Sequence, residues 1–420
     1  MFYIGVDLGD SAVKLLLIDS VGNVKKTISK RFTESNPDEW WNKTVAGLKE
    51  IINIVGTDIS GICICSSNNG MVVLDENDEL IRPDIIWNNT DISKENDYLK
   101  NVVGKNAVEK TLAPKLLWLL NNSYENFRII NKIMLPKDYL VFKLTGLHCT
   151  DSASATSTLL YDNRNASWSK EMLAICEVRK EWMPKIYDTF DQIDKILPSV
   201  AEELGISHEC SVVAGTTASI ANVISSGSLG AGKYNLVTNM LATNNSDKWW
   251  QEDILDLDGE VIFEDEMLGE NHVFYLPGVM SETAFIGMNS DTNRVDMLQA
   301  IYEGIAYELR YSIQRDGADA RKPQSLKISG KLAKNDIFRK ILANILNVTI
   351  ETIEIDEGAV FGTAILAAVA CGAYGGIEEA TDMLVKIKDS VSPDELLVEK
   401  YDAGYSKFVR YYRAINSIIE

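Results

Sequence analysis

The sequence is poor in positive charge and in histidine, and it contains no long uncharged apolar run. Lys and Arg total 41 against 61 Asp and Glu, so the formal net charge is −20, which argues against nucleic acid or an anionic membrane as a partner. No apolar run approaches bilayer-spanning length, so we expect no membrane span. The three histidines, His148, His208 and His272, lack metal-ligand spacing. Any phosphate ligand must therefore be held by local backbone dipoles, a metal ion or a few lysines.

Cysteine is also scarce, with six residues scattered through the chain. Only Cys63 and Cys65 lie close together, and in a strand their side chains would share a face rather than form a chelating loop. We interpret all six as free thiols in a reducing compartment. No signal-peptide pattern opens the sequence, so the expected location is the cytoplasm.

No tandem repeat is visible, but one theme occurs twice along the 420 residues. Strands that end in glycine turns are followed by helices, first in the N-terminal part and again from Ser211 onward. The length suffices for two domains with sizeable cores, and 46% hydrophobic with 24% charged residues is typical of a globular protein. The pattern predicts an α/β protein with two domains around a cleft.

The stretch from Tyr3 to Val24 is the most informative one. A buried strand leads to Asp7, Gly9 lets the chain turn before Ser11, and Ala12–Asp19 predicts a second strand. A glycine turn between strands points backbone N–H groups at an oxyanion, and a neighbouring carboxylate can hold Mg²⁺. The alternative is an ordinary β-hairpin with a surface acid, which is the commoner meaning of an isolated Asp-x-Gly.

Longer segments carry a resemblance that extends over nearly the whole chain. They are YIGVDLGDS (3–11), KLLLID (14–19), LIRPDIIWNN (80–89), LAPKLLWLL (112–120), LPKDYLVFKLTG (135–146), TDSASATSTLLYD (150–162), YLPG (275–278), EGIAYELR (303–310) and GAVFGTAILAAVACGAY (358–374). With these segments the chain resembles the FGGY carbohydrate kinases, and within them the xylulokinases.

The resemblance implies an α/β fold of two actin-like ATPase domains, each ribonuclease-H-like, around a central cleft. Residues 1–232 would form the sugar-binding domain, and residues 233–420 a shortened nucleotide-binding-type domain. It implies ATP and Mg²⁺ as cofactors, a small sugar or polyol as substrate, phosphoryl transfer to a sugar hydroxyl, and a possible homodimer.

Carried over position by position, the resemblance assigns candidate site residues. Asp7 matches the metal-linked acid of the family and also stands at a catalytic position. Asp10 departs from the family pattern, and we expect it to hold metal with Asp7, because only a metal ion could offset its charge beside a phosphate. The nucleotide and phosphate positions are Gly9, Asp10, Ser11, Thr238, Gly330 and Lys331, and the sugar positions are Asn69, Gly70, Trp87 and Asn88.

The catalytic position departs from the family pattern. Family members carry an aspartate after a glycine-rich turn, and it accepts the proton of the attacking hydroxyl. In register, this chain reads Ala214-Gly215-Thr216-Thr217-Ala218-Ser219. Ala218 therefore takes the aspartate's place, and a methyl group cannot accept a proton.

The phosphate turns depart from the pattern as well. Asp10 stands where a small hydroxyl residue is usual, which puts a second carboxylate beside the γ-phosphate. Val237-Thr238-Asn239 replaces a Gly-Thr-Ser turn, and only Gly330 survives from a glycine-rich adenine-side turn.

Two hypotheses follow. The chain is a sugar or polyol kinase with weak turnover, in which Asp10 or Glu282 substitutes as base or another group accepts the phosphate. Alternatively, it is a pseudokinase that binds a sugar, a nucleotide or a partner protein.

Overall fold

The chain is described by a computed structural model, which covers residues 1–34, 36–67, 70–81, 91–104, 112–229, 234–237, 267–279, 282–315 and 325–419. These residues form two compact units. The first unit is Met1–Gly227 with Glu357–Leu384, and the second is Ser228–Asp356 with Val385–Glu420.

Strands and helices both occur in each unit. The strands are β1 Phe2–Leu8, β2 Ala12–Asp19, β3 Val24–Arg31, β4 Ile59–Ser66, β5 Val72–Leu74, β6 Lys132–Met134, β7 Cys149–Asp151, β8 Tyr161–Asp162, β9 Ser167–Trp168, β10 Lys185–Tyr187, β11 Gln192–Lys195, β12 Ser211–Val213, β13 Thr216–Thr217, β14 Tyr234–Val237, β15 Phe274–Val279, β16 Glu282–Ile286, β17 Ser325–Ser329, β18 Thr349–Ile353 and β19 Ile387–Val391. The helices are α1 Pro37–Val55, α2 Ser93–Val103, α3 Leu112–Asn122, α4 Tyr124–Phe127, α5 Pro136–Thr145, α6 Ser152–Thr156, α7 Lys170–Ile175, α8 Pro198–Leu204, α9 Ala218–Ser225, α10 Arg294–Arg315, α11 Asp336–Leu346, α12 Ala359–Ala370, α13 Ile377–Leu384 and α14 Glu395–Ile419, with 3-10 turns at Lys180–Trp182 and Lys331–Lys334.

The main sheet of the first unit has the strand order β11-β12-β4-β1-β2-β3, with β13 also paired to β4. Strands β1, β2 and β3 are antiparallel neighbours, whereas β4 runs parallel to β1, β12 and β13. Because side chains alternate across a strand, Ile4 and Val6 of β1 join a core with α1, while Gly5 and Asp7 lie on the other face. On that second face, Gly5 comes into backbone contact with α12.

The sequence predicts an amphipathic helix after Pro37 with Ser35 or Asn36 as its N-cap, and in the structure Asn36 caps α1. The side chain of Asn36 accepts a hydrogen bond from the Glu39 backbone N–H at 2.9 Å, and Pro37 occupies the first turn together with Asp38 and Glu39. This confirms the predicted N-cap, with acids at the positive end of the helix dipole. Trp40 is fully buried below the cap.

The first unit is discontinuous in sequence, because Glu357–Leu384 returns to it. The predicted boundary at residue 232 lies close to the first change of unit, at Gly227–Ser228, but the prediction did not include this return. The domain assignment derived from the resemblance stays a prediction.

The second unit contains the four-stranded sheet β14-β17-β18-β19 and the hairpin β15–β16. Its core draws on α10, α11 and α14 and includes a cluster of aromatic rings. The ring of Tyr307 lies 6.3 Å from Tyr401 and 5.3 Å from Phe408, measured between centroids. Glu303 of α10 is buried near these rings, and its Oε1 accepts a hydrogen bond from Gln299 at 2.8 Å.

Among the residues described, no helix combines the length and apolar character needed to cross a membrane. All six cysteines are free thiols, and five of them are buried. Cys63 and Cys65 share a face of β4, as the sequence predicts.

The close contact between Gly5 and α12 gives a stability prediction. A Cβ added at Gly5 would lie 2.1 Å from the Val360 carbonyl oxygen and 2.6 Å from the Ala364 backbone nitrogen. We expect Gly5→Ala to lower the free energy of unfolding by about 3 kcal/mol, measured by urea denaturation. As a control, Gly376→Ala should cost about 0.5 kcal/mol or less, because no atom lies within 4 Å of its added Cβ. Equal stability of the two variants would contradict the packing.

The buried carboxyl of Glu303 gives a pH prediction. Burial raises its pKa from the ordinary 4.5 to about 7. The pKa of Glu303 is higher in the folded protein than in the unfolded one. Its carboxyl therefore costs no folding free energy below pH 4.5, and the free energy of unfolding falls as the pH rises toward 7. The loss is about 3 kcal/mol.

We therefore expect Glu303→Gln to flatten the decrease in unfolding free energy between pH 5 and pH 8. Glu50→Gln is the control, since this exposed carboxylate pairs with Lys30 and should leave the wild-type slope between these pH values nearly unchanged. A slope in Glu303→Gln equal to that of the wild type would contradict the assignment.

Candidate functional site

Three parallel strands of the main sheet end side by side. In register, Leu8 of β1 pairs with Ser66 of β4, and Ser66 pairs with Thr217 of β13. The next residues, Gly9, Ser67 and Ala218, therefore leave three parallel strands at the same level. Ligands in open α/β sheets bind outside such carboxyl ends.

Asp7 lies within β1, one residue before its end, rather than in the following turn. Its register partners are Lys14 of β2 and Cys65 of β4, and the Cys65 thiol donates to Asp7 Oδ1 at 3.5 Å. Burial raises the pKa of Asp7, the Cys65 thiol and Lys14 oppose the rise, and Asp10 adds to it. Lys14 itself is paired with Glu357 at 2.7 Å.

The turn at Gly9 differs in one respect from the expectation. The Gly9 N–H donates to the Ala12 carbonyl at 3.0 Å, so this N–H closes the turn and is not available to an anion. Asp10 is exposed at the tip. Its Oδ1 accepts a hydrogen bond from the Ser67 hydroxyl at 2.9 Å, which joins the turn to the end of β4.

The turn before Ala218 is fixed by glycine. Gly215 has φ +84°, and a Cβ there would lie 2.0 Å from the Ile64 carbonyl oxygen. Thr217 caps α9 by accepting the Ile220 N–H at 3.2 Å. Ala218 is the first residue of α9, and its half-buried methyl packs against a small apolar cluster that includes Cys65 and Ala359.

A buried ion cluster that sequence reasoning missed supports this turn. The ammonium of Lys137 lies 2.6 Å from Asp138 Oδ1, 2.7 Å from Asp151 Oδ2 and 3.1 Å from the Ala214 carbonyl oxygen. Burial alone would lower the pKa of Lys137, but the two carboxylates raise it. Lysine and aspartate are usually exposed, so no feature of the sequence predicts that these three side chains are buried together.

In the second unit, Gly330 has φ +95° and directly follows β17. Its N–H donates to both carboxylate oxygens of Asp356, at 3.1 and 3.3 Å. The surviving glycine of this predicted nucleotide turn is therefore held by the chain's own carboxylate. Lys331 follows as an exposed residue of a short 3-10 turn.

Several predicted site residues lie outside the described residues: Asn69, Trp87, Asn88 and Thr238. Gly70 is described and buried. Within the described parts of the chain, no group of three or more His, Cys, Asp or Glu side chains is suited to a metal ion. The negative charge of Asp10 contributes to the raised pKa of Asp7, so the two carboxylates act as a pair, and Mg²⁺ is commonly held by one or two carboxylates with substrate phosphates and water. The pair thus fits the predicted metal ion.

Comparisons with known proteins find similarity over nearly the whole chain. Sequence models of the FGGY family of carbohydrate kinases match the chain, the N-terminal domain over residues 2–224 and the C-terminal domain over residues 212–371. A xylulose kinase of Staphylococcus xylosus is 26% identical over 480 aligned residues, which cover 98% of this chain and 99% of that protein.

Two crystal structures from Lactobacillus acidophilus share the fold. A ligand-bound xylulose kinase has a TM-score of 0.85 at 20% identity, and a gluconate kinase has 0.85 at 19%; each covers 99% of this chain and 98% of its own. The predicted fold class, α/β with two actin-like ATPase domains, is confirmed.

The Lys137 cluster yields a prediction about stability. Lys137→Met removes the cation and leaves two buried carboxylates facing each other, so we expect a loss of about 3–5 kcal/mol in unfolding free energy. Lys49→Met is the control, because its pair with Glu203 is exposed and is worth about 1 kcal/mol at most. Urea denaturation measures both, and similar losses would show that the cluster does not depend on the ammonium.

Proposed function

The chain belongs to the FGGY family of carbohydrate kinases, and we propose that it binds MgATP and a small sugar or polyol of the xylulose class with weak or lost phosphoryl transfer. The substrate class is suggested by the xylulose kinases to which the chain is similar along its length. A cytoplasmic setting agrees with six free thiols.

One observation carries the proposal of impaired turnover. At the first residue of α9, where the family resemblance expects a carboxylate, the chain has the half-buried methyl of Ala218. A positioned base contributes about 10²- to 10⁴-fold to rate. Neighbouring Thr217 already uses its oxygen to cap the helix, so it is a poor replacement.

The remaining residues support binding and positioning. Bound MgATP would supply the transferable phosphoryl group and a cation that offsets negative charge. Asp7 and Asp10 would hold the metal ion at the end of β1, and the charge of Lys14 on the neighbouring strand β2 favours the ionised form of Asp7. Such a site holds its reactants in place, but the proton of a sugar hydroxyl has no acceptor at position 218.

A second candidate function is a pseudokinase that binds a sugar or partner without turnover. Two glycine N–H groups at predicted phosphate positions favour this function, because both donate hydrogen bonds within the chain. The Gly9 N–H donates to the Ala12 carbonyl, and the Gly330 N–H donates to the Asp356 carboxylate. Donors engaged in this way contribute less to a phosphate ligand. A homodimer stays a prediction.

The test measures turnover and binding separately. Pentuloses and polyols are offered with MgATP, ADP release is recorded, and thermal shifts are measured with the same ligands. We expect at least one sugar to raise the Tm of this chain. With that sugar, the chain should release ADP at least about 100-fold more slowly than a xylulose kinase assayed in parallel. Turnover equal to that relative would contradict the proposal.

Restoring a carboxylate extends the test. We expect Ala218→Asp, alone or with Asp10→Thr, to increase sugar-dependent ADP release by about tenfold or more. Ser219→Asp is the matched control, because it adds the same charge one residue along an exposed part of α9. A gain in Ser219→Asp equal to that in Ala218→Asp would assign the effect to charge alone.

A further inference from the structure

A cavity of about 420 Å³ opens between the last turns of α10 and the middle of α14, within the second unit. Tyr405, Val409 and Arg413 line it from α14, and their spacing of four residues places them on one face of the helix. Tyr311 and Arg315 line it from α10 with the same spacing. The volume of this α10–α14 cavity is in the range of small-molecule sites.

The two tyrosine rings on the wall of the cavity are held in place by neighbouring side chains. The ring centroid of Tyr311 lies 5.2 Å from that of Tyr412, and the centroid of Tyr405 lies 5.9 Å from that of Tyr307. The Tyr405 hydroxyl also donates to Gln314 Oε1 at 2.7 Å. Because these rings are already ordered, a ligand that packs against them loses little free energy to side-chain ordering.

The charge of the cavity is opposite to that of the whole chain. Its described lining includes the two guanidinium groups of Arg315 and Arg413 and no Asp or Glu, whereas the chain has a net charge of −20. The stretch 403–419, from which α14 lines the cavity, contains the cations Lys407, Arg410 and Arg413 and no acidic residue. This local excess of positive charge favours an anionic ligand.

Arg413 is the cation of the cavity that is available to a ligand. By contrast, Arg310 pairs with Asp402 at 2.6 Å and donates to the Ile345 carbonyl at 3.0 Å. Arg413 is exposed and forms no ion pair with any residue that the structure describes. Burial raises the pKa of the Tyr405 phenol, and the charges of Arg310 and Arg413 oppose this rise. The charge of Arg413 therefore acts on the tyrosine wall of the cavity.

We propose that the α10–α14 cavity binds a small phosphate monoester that carries a flat apolar ring. The ring would pack against Tyr311, Tyr405 and Val409, because tyrosine offers a large apolar surface with a fixed geometry. The phosphate would pair with Arg413, whose planar fork of N–H donors matches phosphate oxygens. Arg315 adds a second positive charge from the facing helix, which suits a dianion better than a carboxylate.

The cavity lies away from the predicted nucleotide turn of the same unit. Asn335, which follows the 3-10 turn that begins at Lys331, donates to the Tyr302 hydroxyl of α10 at 3.2 Å. Tyr311 and Arg315 lie about 14 Å and about 20 Å further along that helix, at 1.5 Å per residue. The inference therefore does not depend on whether MgATP binds at the predicted turn.

The experiment titrates the purified full-length chain with phenyl phosphate in a calorimeter at pH 7.5, where a phosphate monoester carries nearly two negative charges. Inorganic phosphate and benzoate are titrated in parallel. We expect phenyl phosphate to bind at least about tenfold more tightly than either, because only phenyl phosphate combines a ring with a dianion. No detectable binding of phenyl phosphate, or equal affinity for inorganic phosphate or benzoate, overturns the proposal.

Two arginine variants locate the phosphate. We expect Arg413→Gln to weaken phenyl phosphate at least about tenfold, since it removes the pairing guanidinium. Arg410→Gln is the matched control, because it removes the same charge from an exposed position on α14 outside the lining. Equal weakening in the two variants assigns the effect to overall charge and overturns the site.

Two further variants separate the cavity from other positions. Val409→Trp places a large ring in the cavity without changing its charge, so we expect it to abolish binding of phenyl phosphate. Lys331→Gln, at the predicted nucleotide turn, should leave the affinity for phenyl phosphate unchanged. Unaltered binding in Val409→Trp overturns the proposal. Weakening in Lys331→Gln equal to that in Arg413→Gln assigns the probe to the nucleotide turn and also overturns it.

Discussion

The parallel pairing of β4 with β1 on one side and with β12 and β13 on the other is the constraint on which the candidate site depends. It brings residues from positions 9, 67 and 218 to one sheet edge although they are far apart in sequence. Gly215 is required there, since any Cβ would collide with the Ile64 carbonyl. The Lys137 ammonium donates a hydrogen bond to the Ala214 carbonyl, so this edge is fixed by backbone geometry and by buried charge.

The segments that build the scaffold keep the family pattern better than the proposed catalytic positions do. Segments that build the first unit, such as α3 and α5, match the family in long runs, and the buried ion cluster is complete. The chain departs from the family pattern at Asp10 and Ala218, which are positions where the resemblance predicts phosphate binding and catalysis. A fold can persist under selection for stability alone, whereas a phosphoryl-transfer site cannot keep its rate without its base.

Much of the fold could be predicted because local signals agree with it. Strand β2 has its predicted ends, and α1 begins at the predicted cap, since Asn36, Pro37 and two acids act within one helical turn. The candidate site was predictable only in part. The family pattern placed Ala218 and Asp10, but no local pattern shows that Lys137 is fully buried or that Ser67 meets Asp10 across two strands. Those contacts depend on which distant segments pair as strands, and the side-chain periodicity of one segment does not identify its partner.

The return of Glu357–Leu384 to the first unit has a consequence for how the chain folds during synthesis. Helix α12 covers the face of β1 that contains Gly5, yet it leaves the ribosome only after more than three hundred residues. A nascent chain that ended near residue 232 would keep an apolar sheet face uncovered, which is the kind of surface that recruits chaperones or aggregates. The first unit can therefore mature only after most of the second has been translated, and the two must acquire their structure as interleaved rather than successive events.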